Sequence, residues 1–345
     1  MSSVKSTDLN QLRISLAGSL PLVILLHLSL VFFCPGTTQA EGDLFFHTRN
    51  QHPLVQIYGM PAPESPFVPS VGKSVFHLDL AQSNSLSSQY GSHEYLLVDG
   101  ESTRVDLGFR YGLGHGWELG GDLPYLSHSG GFLDGFIEDW HGFFHLPNGE
   151  RGQRQNGLLD YRYERDGRVL LQLNSASDGV SDLLLFAGYG LAVDGVPVAI
   201  RIGLKLPTGS SSEMLGSGGV DMFVSGSALI AGGPSSQWQV YGHSGVLLTG
   251  HSEILNEIRR DLIGFGALGI SWAYHPRVIF KLQIDGHTPF YRSDLNGMGL
   301  STLQLDMGGT LVLSEGLNLD LAVLEDIIVD SAPDVVFMLG LVRHY

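Results

Sequence analysis

The chain has 345 residues, 43% of them hydrophobic, with 46 glycines and 19 Lys and Arg against 35 Asp and Glu. A net charge of −16 argues against nucleic acid as a partner, because neutralising phosphates takes clustered basic side chains. The one cysteine, Cys34, lies near the N-terminus, so the chain beyond it has no disulfide, thiol nucleophile or thiolate metal site to offer.

The N-terminus reads as a targeting segment. Lys5 and Arg13 make a basic start, Ile14 to Phe33 is mostly apolar, and Thr38-Gln39-Ala40 supplies small residues before Glu41. Residues 1–40 are therefore expected to be a signal peptide. The apolar run also has the length of a membrane anchor, and Phe33 stands where lipid attachment at Cys34 would want a small residue. Residues 41–72 carry Pro53, Pro61, Pro63, Pro66 and Pro69 and do not alternate. They are expected to form an extended arm, either a lumen plug or a periplasmic segment.

From 73 onward the apolar residues recur with period 2, as in Val105-Leu107-Phe109-Tyr111 and Val196-Val198-Ile200-Ile202-Leu204. The strands are predicted at 73–83, 92–113, 117–126, 158–165, 168–175, 181–192, 196–206, 219–231, 236–248, 262–274, 277–285, 300–313, 317–325 and 335–345. One greasy and one wet face per strand is the pattern of an all-β, transmembrane antiparallel β-barrel. About 14 strands are expected, with 12 and 16 as the alternative counts. Short connectors such as Gly114-His115-Gly116, Asp166-Gly167 and Asp194-Gly195 take the periplasmic side, and long ones, 84–91 and 127–157 among them, the outside. That rule holds throughout only if 92–113 is one bent strand with a bulge at Gly100.

Tyr111, Trp117, Tyr125, Tyr161, Tyr163, Tyr189, Trp238, Trp272 and Tyr274 fall near strand ends and suit interfacial girdles. The last strand ends on Tyr345, in phase with Leu341, Leu339 and Phe337. This resembles the C-terminal signal read during barrel insertion. Arg343 interrupts its apolar face.

The wet face supplies the candidate lumen lining: Arg104, Asp106, Arg110, Asp122, Arg201, Lys205, Asp221, Lys281, Asp285, Asp306 and Asp320, with His77, Asp79 and Arg162 in phase. Both signs occur, so pairing across a hydrated interior is the plain expectation and a selective lining the sharper one. In the long loop, Phe132, Phe136 and Trp140 recur at helical spacing, and Asp134, Glu138 and His141 share another face. Those three are candidate loop-site residues for a cation or acid–base work, although a solvated helix face explains them as well. No motif pairs a Ser with a His as a barrel lipase needs, and Gly216-Ser217-Gly218-Gly219 lacks the Lys-Ser/Thr end of a phosphate loop. No enzyme activity, cofactor or metal is expected.

Several segments together look familiar. Asn50 to Pro61, Asp99-Gly-Glu-Ser102, Gly130 to His141, Leu206-Pro-Thr-Gly209 leading to Gly216 to Asp221, and Ser331 to Phe337 resemble the bacterial "domain of unknown function 3187" family. The likeness covers essentially the whole chain after the leader. It implies the outer membrane of a Gram-negative bacterium and carries over no activity. A looser likeness is to the long-chain fatty-acid transporters, 14-stranded barrels that thread an N-terminal segment into the lumen. The expected function is a monomeric, passive outer-membrane channel for small molecules, hydrophobic ones among them. The alternative is a non-transporting barrel whose loops bind a partner or surface lipid. Expected partners are outer-membrane lipid, the barrel-assembly machinery during insertion and an unidentified permeant.

Overall fold

The computed structural model describes residues 44–133, 135, 156–233, 236–328 and 331–345. Its strands are β1 (Ser74–Tyr90), β2 (Glu94–Gly114), β3 (Trp117–Ser129), β4 (Asp160–Arg165), β5 (Arg168–Leu173), β6 (Ser177–Val180), β7 (Leu183–Val193), β8 (Val196–Leu206), β9 (Asp221–Ala231), β10 (Trp238–Leu248), β11 (Leu262–His275), β12 (Val278–His287), β13 (Thr302–Ser314), β14 (Leu317–Asp326) and β15 (Val335–His344). Twelve of them close into an antiparallel barrel, sealed where β1 pairs with β15 from Val75↔His344 to Asn84↔Val335. Among the described residues no helix is long and apolar enough to cross a membrane.

The count of 14 is corrected to 12. The two surplus segments are strands, β4 and β5, but they pair with each other and with the first residues of β2, from Glu94↔Arg165 to Asp99↔Asp160. They extend the sheet beyond the rim instead of completing the wall. Alternation reports that a segment is a strand, not which strand it pairs with. Removing an even number leaves both ends of the barrel on one side, so the in/out parity survives. The Asp166-Gly167 turn changes sides, because it lies against His93 at the long-loop rim, with His93 Nδ1 3.3 Å from Asp166 Oδ1. Arg162, on β4, is thereby removed from the lumen and pairs with Glu164 at 2.5 Å.

The second strand is unbroken, as expected, but it has no bulge at Gly100: its register with β1 runs continuously from Ser74↔Tyr111 to Tyr90↔Tyr95. At Gly100 the other neighbour changes from β3 to β4. A Cβ there would approach Leu159 to 2.8 Å and the Ser129 carbonyl oxygen to 3.2 Å, so glycine at φ 155° accommodates the crossover without an extra residue. The expected connector 84–91 is also mostly strand, since β1 continues to Tyr90.

Each wall strand has the two faces its sequence demands. Ile200, Ile202 and Leu204 on β8 point outward and stay 40–53% exposed, while Arg201 and Lys205, at alternate positions, point inward and are buried. At the short-turn rim Trp238 stacks on Trp272 at 5.3 Å between centroids, and Trp117 meets Tyr189 at 4.9 Å. These form a girdle. Tyr161 and Tyr163 do not belong to it, being buried beside Leu96 and Val98 under the β4–β5 hairpin. Arg343 is buried and donates to the Glu315 carbonyl oxygen, which caps the neighbouring turn.

Candidate functional site

The lumen is occupied by the chain's own N-terminal arm. Leu44 and Phe45 pack with Leu229, Tyr241 and Ala267, on β9 to β11. The chain then rises toward the long-loop rim, reverses at 52–58 through hydrogen bonds from Val55 N and Gln56 N to the His52 carbonyl oxygen, and descends. It leaves at the short-turn rim, where Val71 bridges to Gly112 and Gly72 N donates to the Gly112 carbonyl oxygen. A Cβ at Gly112 would come within 2.1 Å of the Pro69 carbonyl oxygen, so the wall is bare where the arm passes. The prolines explain the shape: a segment that cannot donate to a ladder at five positions stays extended and single.

All eleven candidate lining residues lie inside the wall, and most of them bind the arm or one another. Nearest the short-turn rim, Arg110 reaches Glu64 of the arm at 3.3 Å and Glu118 at 2.8 Å, and donates to the Phe67 carbonyl oxygen at 2.7 Å. Arg201 shares Glu118 at 2.8 Å and donates to the Ser65 carbonyl oxygen. At mid-height Arg49 of the arm bridges Asp106 at 3.1 Å and Asp122 at 2.7 Å, and Arg104 also holds Asp106 at 2.7 Å. Opposite, the Thr48 hydroxyl meets Asp306 at 2.7 Å and also Asp285, and Lys281 lies 3.3 Å from Asp320 and over the Phe46 ring. Higher up, Lys205 sits between Asp182 at 2.7 Å and Asp221 at 3.2 Å, and Gly59 N donates to Asp221.

The mouth at the long-loop rim has a different character. Leu54, Val55, Ile57 and Tyr58 at the arm's tip pack with Phe223, Leu247 and Phe265 of the wall and with Ile254, Leu255, Phe290, Tyr291 and Met298 of the loops. The Tyr291 hydroxyl donates to the Leu54 carbonyl oxygen at 2.8 Å, which ties loop to tip. His52 is buried here, and burial, aided by the nearby His287 imidazole, pushes its pKa down to about 4. Among the described residues, two cavities lined by both arm and wall hold about 20 Å³ each, room for about one water. The expected hydrated interior is thus filled by the arm.

Sequence reasoning missed Arg49, Glu64, Glu118 and Asp182. Glu118 was legible, since it alternates inward with Asp122 on β3. Arg49 and Glu64 lie on a segment without periodicity, and nothing local says that it enters the barrel. Asp134, Glu138 and His141 lie outside the described residues.

The family model described as "Protein of unknown function (DUF3187)" matches residues 24–345. No curated protein matches the chain. Among solved structures, the COG4313 outer membrane channel from Pseudomonas putida F1 is 14% identical over 83% of this chain and 100% of its own, with a TM-score of 0.55. The NanC porin is 10% identical over 77% of this chain and 98% of its own, with a TM-score of 0.42. The toluene transporter TodX of P. putida is 10% identical over 81% and 90%, with a TM-score of 0.36. At such identities the first likeness shows a shared barrel fold, and the other two add nothing to it.

Proposed function

Since the chain belongs to the DUF3187 family of proteins of unknown function, membership brings no activity with it, and we propose that the protein is an outer-membrane channel, closed in this form, that admits small molecules when its N-terminal arm shifts. The observation that carries this reading is how the arm is held. Arg49, Thr48, Glu64 and Gly59 meet the wall through ion pairs and hydrogen bonds at three heights. Apolar packing would fill a permanently solid barrel at least as well, because buried ion pairs gain little over it. A polar wall that keeps its charges suits a lumen that is at times wet. The apolar cluster at the mouth favours small permeants with hydrophobic surface.

The filled lumen equally motivates the second reading, a non-transporting barrel whose loops bind a partner or surface lipid. Single-channel recording in planar bilayers separates them. The wild type is expected to be mostly closed, and deletion of residues 44–70 to give persistent conductance. A deletion variant that still runs as a folded barrel on unboiled gels, yet conducts nothing, leaves the non-transporting reading standing.

A further inference from the structure

We propose that His47, His77 and Asp79 form a binding site for one divalent transition-metal ion, Zn²⁺ or a similar borderline cation, that clips the arm to the wall. The inference stands on the placement of the arm and holds whether or not the barrel conducts. His47 is on the arm and His77 and Asp79 are on β1; all three are buried, and one donor atom from each lies within 4.8 Å of the others.

The orientation of the imidazoles argues for a metal over a chance cluster. Both rings turn Nδ1 toward the same carboxylate, Asp79 Oδ2, at 3.5 Å from His47 and 2.6 Å from His77. Both turn Nε2 toward a second carboxylate of their own. His47 Nε2 is 4.0 Å from Glu64 on the returning leg of the arm, and His77 Nε2 is 3.3 Å from Asp122 on β3. Each ring thus directs one nitrogen to a common point, as ligands of one ion must, and the other to the side where a carboxylate lies, without a hydrogen bond to it. The buried atoms His47 Nδ1, Asp79 Oδ1, His77 Nε2 and Asp122 Oδ1 make no hydrogen bond, while Glu64 Oε2 is held by Arg110 at 3.3 Å.

Two imidazole nitrogens and a carboxylate oxygen are a donor set for zinc and its neighbours, and a poor one for Ca²⁺ or Mg²⁺, which take oxygen. With bonds of about 2.0–2.1 Å, tetrahedral ligands stand roughly 3.3 Å apart. The His47 separation fits, and His77 and Asp79 would open by less than an ångström as the ion replaces their hydrogen bond. Because His47 is on the arm and the other two ligands are on β1, the ion would tie the first leg of the arm to the wall.

The test uses untagged, folded protein in detergent, stripped with a chelator and dialysed against Zn²⁺, with metal counted by elemental analysis. Co²⁺ provides a visible spectrum of the same site. One ion per chain is expected. His47→Ala/His77→Ala should abolish stoichiometric binding while keeping its heat-modifiable mobility. His251→Ala, at an exposed loop histidine, should change nothing. Bound Zn²⁺ should also slow protease cleavage of the arm. Folded wild type that takes up no ion, or stoichiometric binding that survives in the double variant, overturns the proposal.

Discussion

Arg49 concentrates the chemistry of the plug in one side chain. It is the single Arg or Lys of residues 44–71, and its two terminal nitrogens reach carboxylates on neighbouring strands, Asp106 on β2 and Asp122 on β3. Its planar fork fits that pair, whereas a lysine ammonium at the same place acts as a point charge. Arg49→Ala leaves two buried carboxylates short of a partner, a change that costs on the order of 3–5 kcal/mol. The arm of that variant is expected to be cut readily by added protease while the barrel keeps its mobility on unboiled gels, with Arg49→Lys intermediate. Cleavage as slow as in the wild type would show that the pair does not hold the arm. Arg104, Asp106, Arg201 and the rest of the wall set were legible because a strand's parity assigns each side chain a face. Arg49, His47 and Glu64 were not, since no periodicity orients an extended proline-rich segment, and the His47–His77–Asp79 cluster joins residues 30 positions apart.

At the scale of elements, the arm is an element without secondary structure, held by tertiary contacts alone, and so it is the part most open to release. Two of its histidines pull in different directions. Burial opposes the charge on His47, but Asp79 and Glu64 overcome it and its pKa is raised; His52 has no such partner and falls to about 4. Below its ordinary value near 6.5, His47 of metal-free protein is protonated whether the arm is docked or free and contributes no slope. His52, docked, stays neutral down to about pH 4, while in the free arm it takes up a proton near 6.5. Through His52 the free arm binds more protons between those limits, so this side chain weakens docking as pH falls from about 6.5 to 4. Protease cleavage of the arm should be faster at pH 4.5 than at pH 7 in the wild type, once corrected for protease activity, and His52→Asn should flatten the difference. An unchanged pH dependence in that variant would assign the effect to the wall carboxylates. The same scale shows how far pattern reading reaches. It found β4 and β5 as strands and β2 as one piece, yet strand partners depend on residues far away in sequence, such as Glu94 meeting Arg165.

For the whole molecule, the difference between 14 and 12 wall strands is a difference in where one turn lies. In a 14-stranded wall, the connector between β4 and β5 would join the short turns, on the same side as His275-Pro276. In the 12-stranded wall, β4 and β5 stand on the long-loop rim beside His93. Arg168 and His275 are both exposed, so a cysteine at either reports its side without disturbing a packed interior. With Cys34 replaced by serine, Arg168→Cys should react with a membrane-impermeant maleimide added to intact cells, as should Ser212→Cys in a long connector. His275→Cys should react only after the outer membrane is broken. Reaction at 275 and not at 168 would invert the barrel. Protection of both, with 212 reactive, would restore the hairpin to the wall. The plug adds a further reason to expect the 12-strand pattern. Two more strands would widen the lumen, since diameter grows roughly in proportion to strand number, and Arg49 could no longer stay within 3.1 Å of Asp106 while Thr48 beside it holds Asp306 across the barrel.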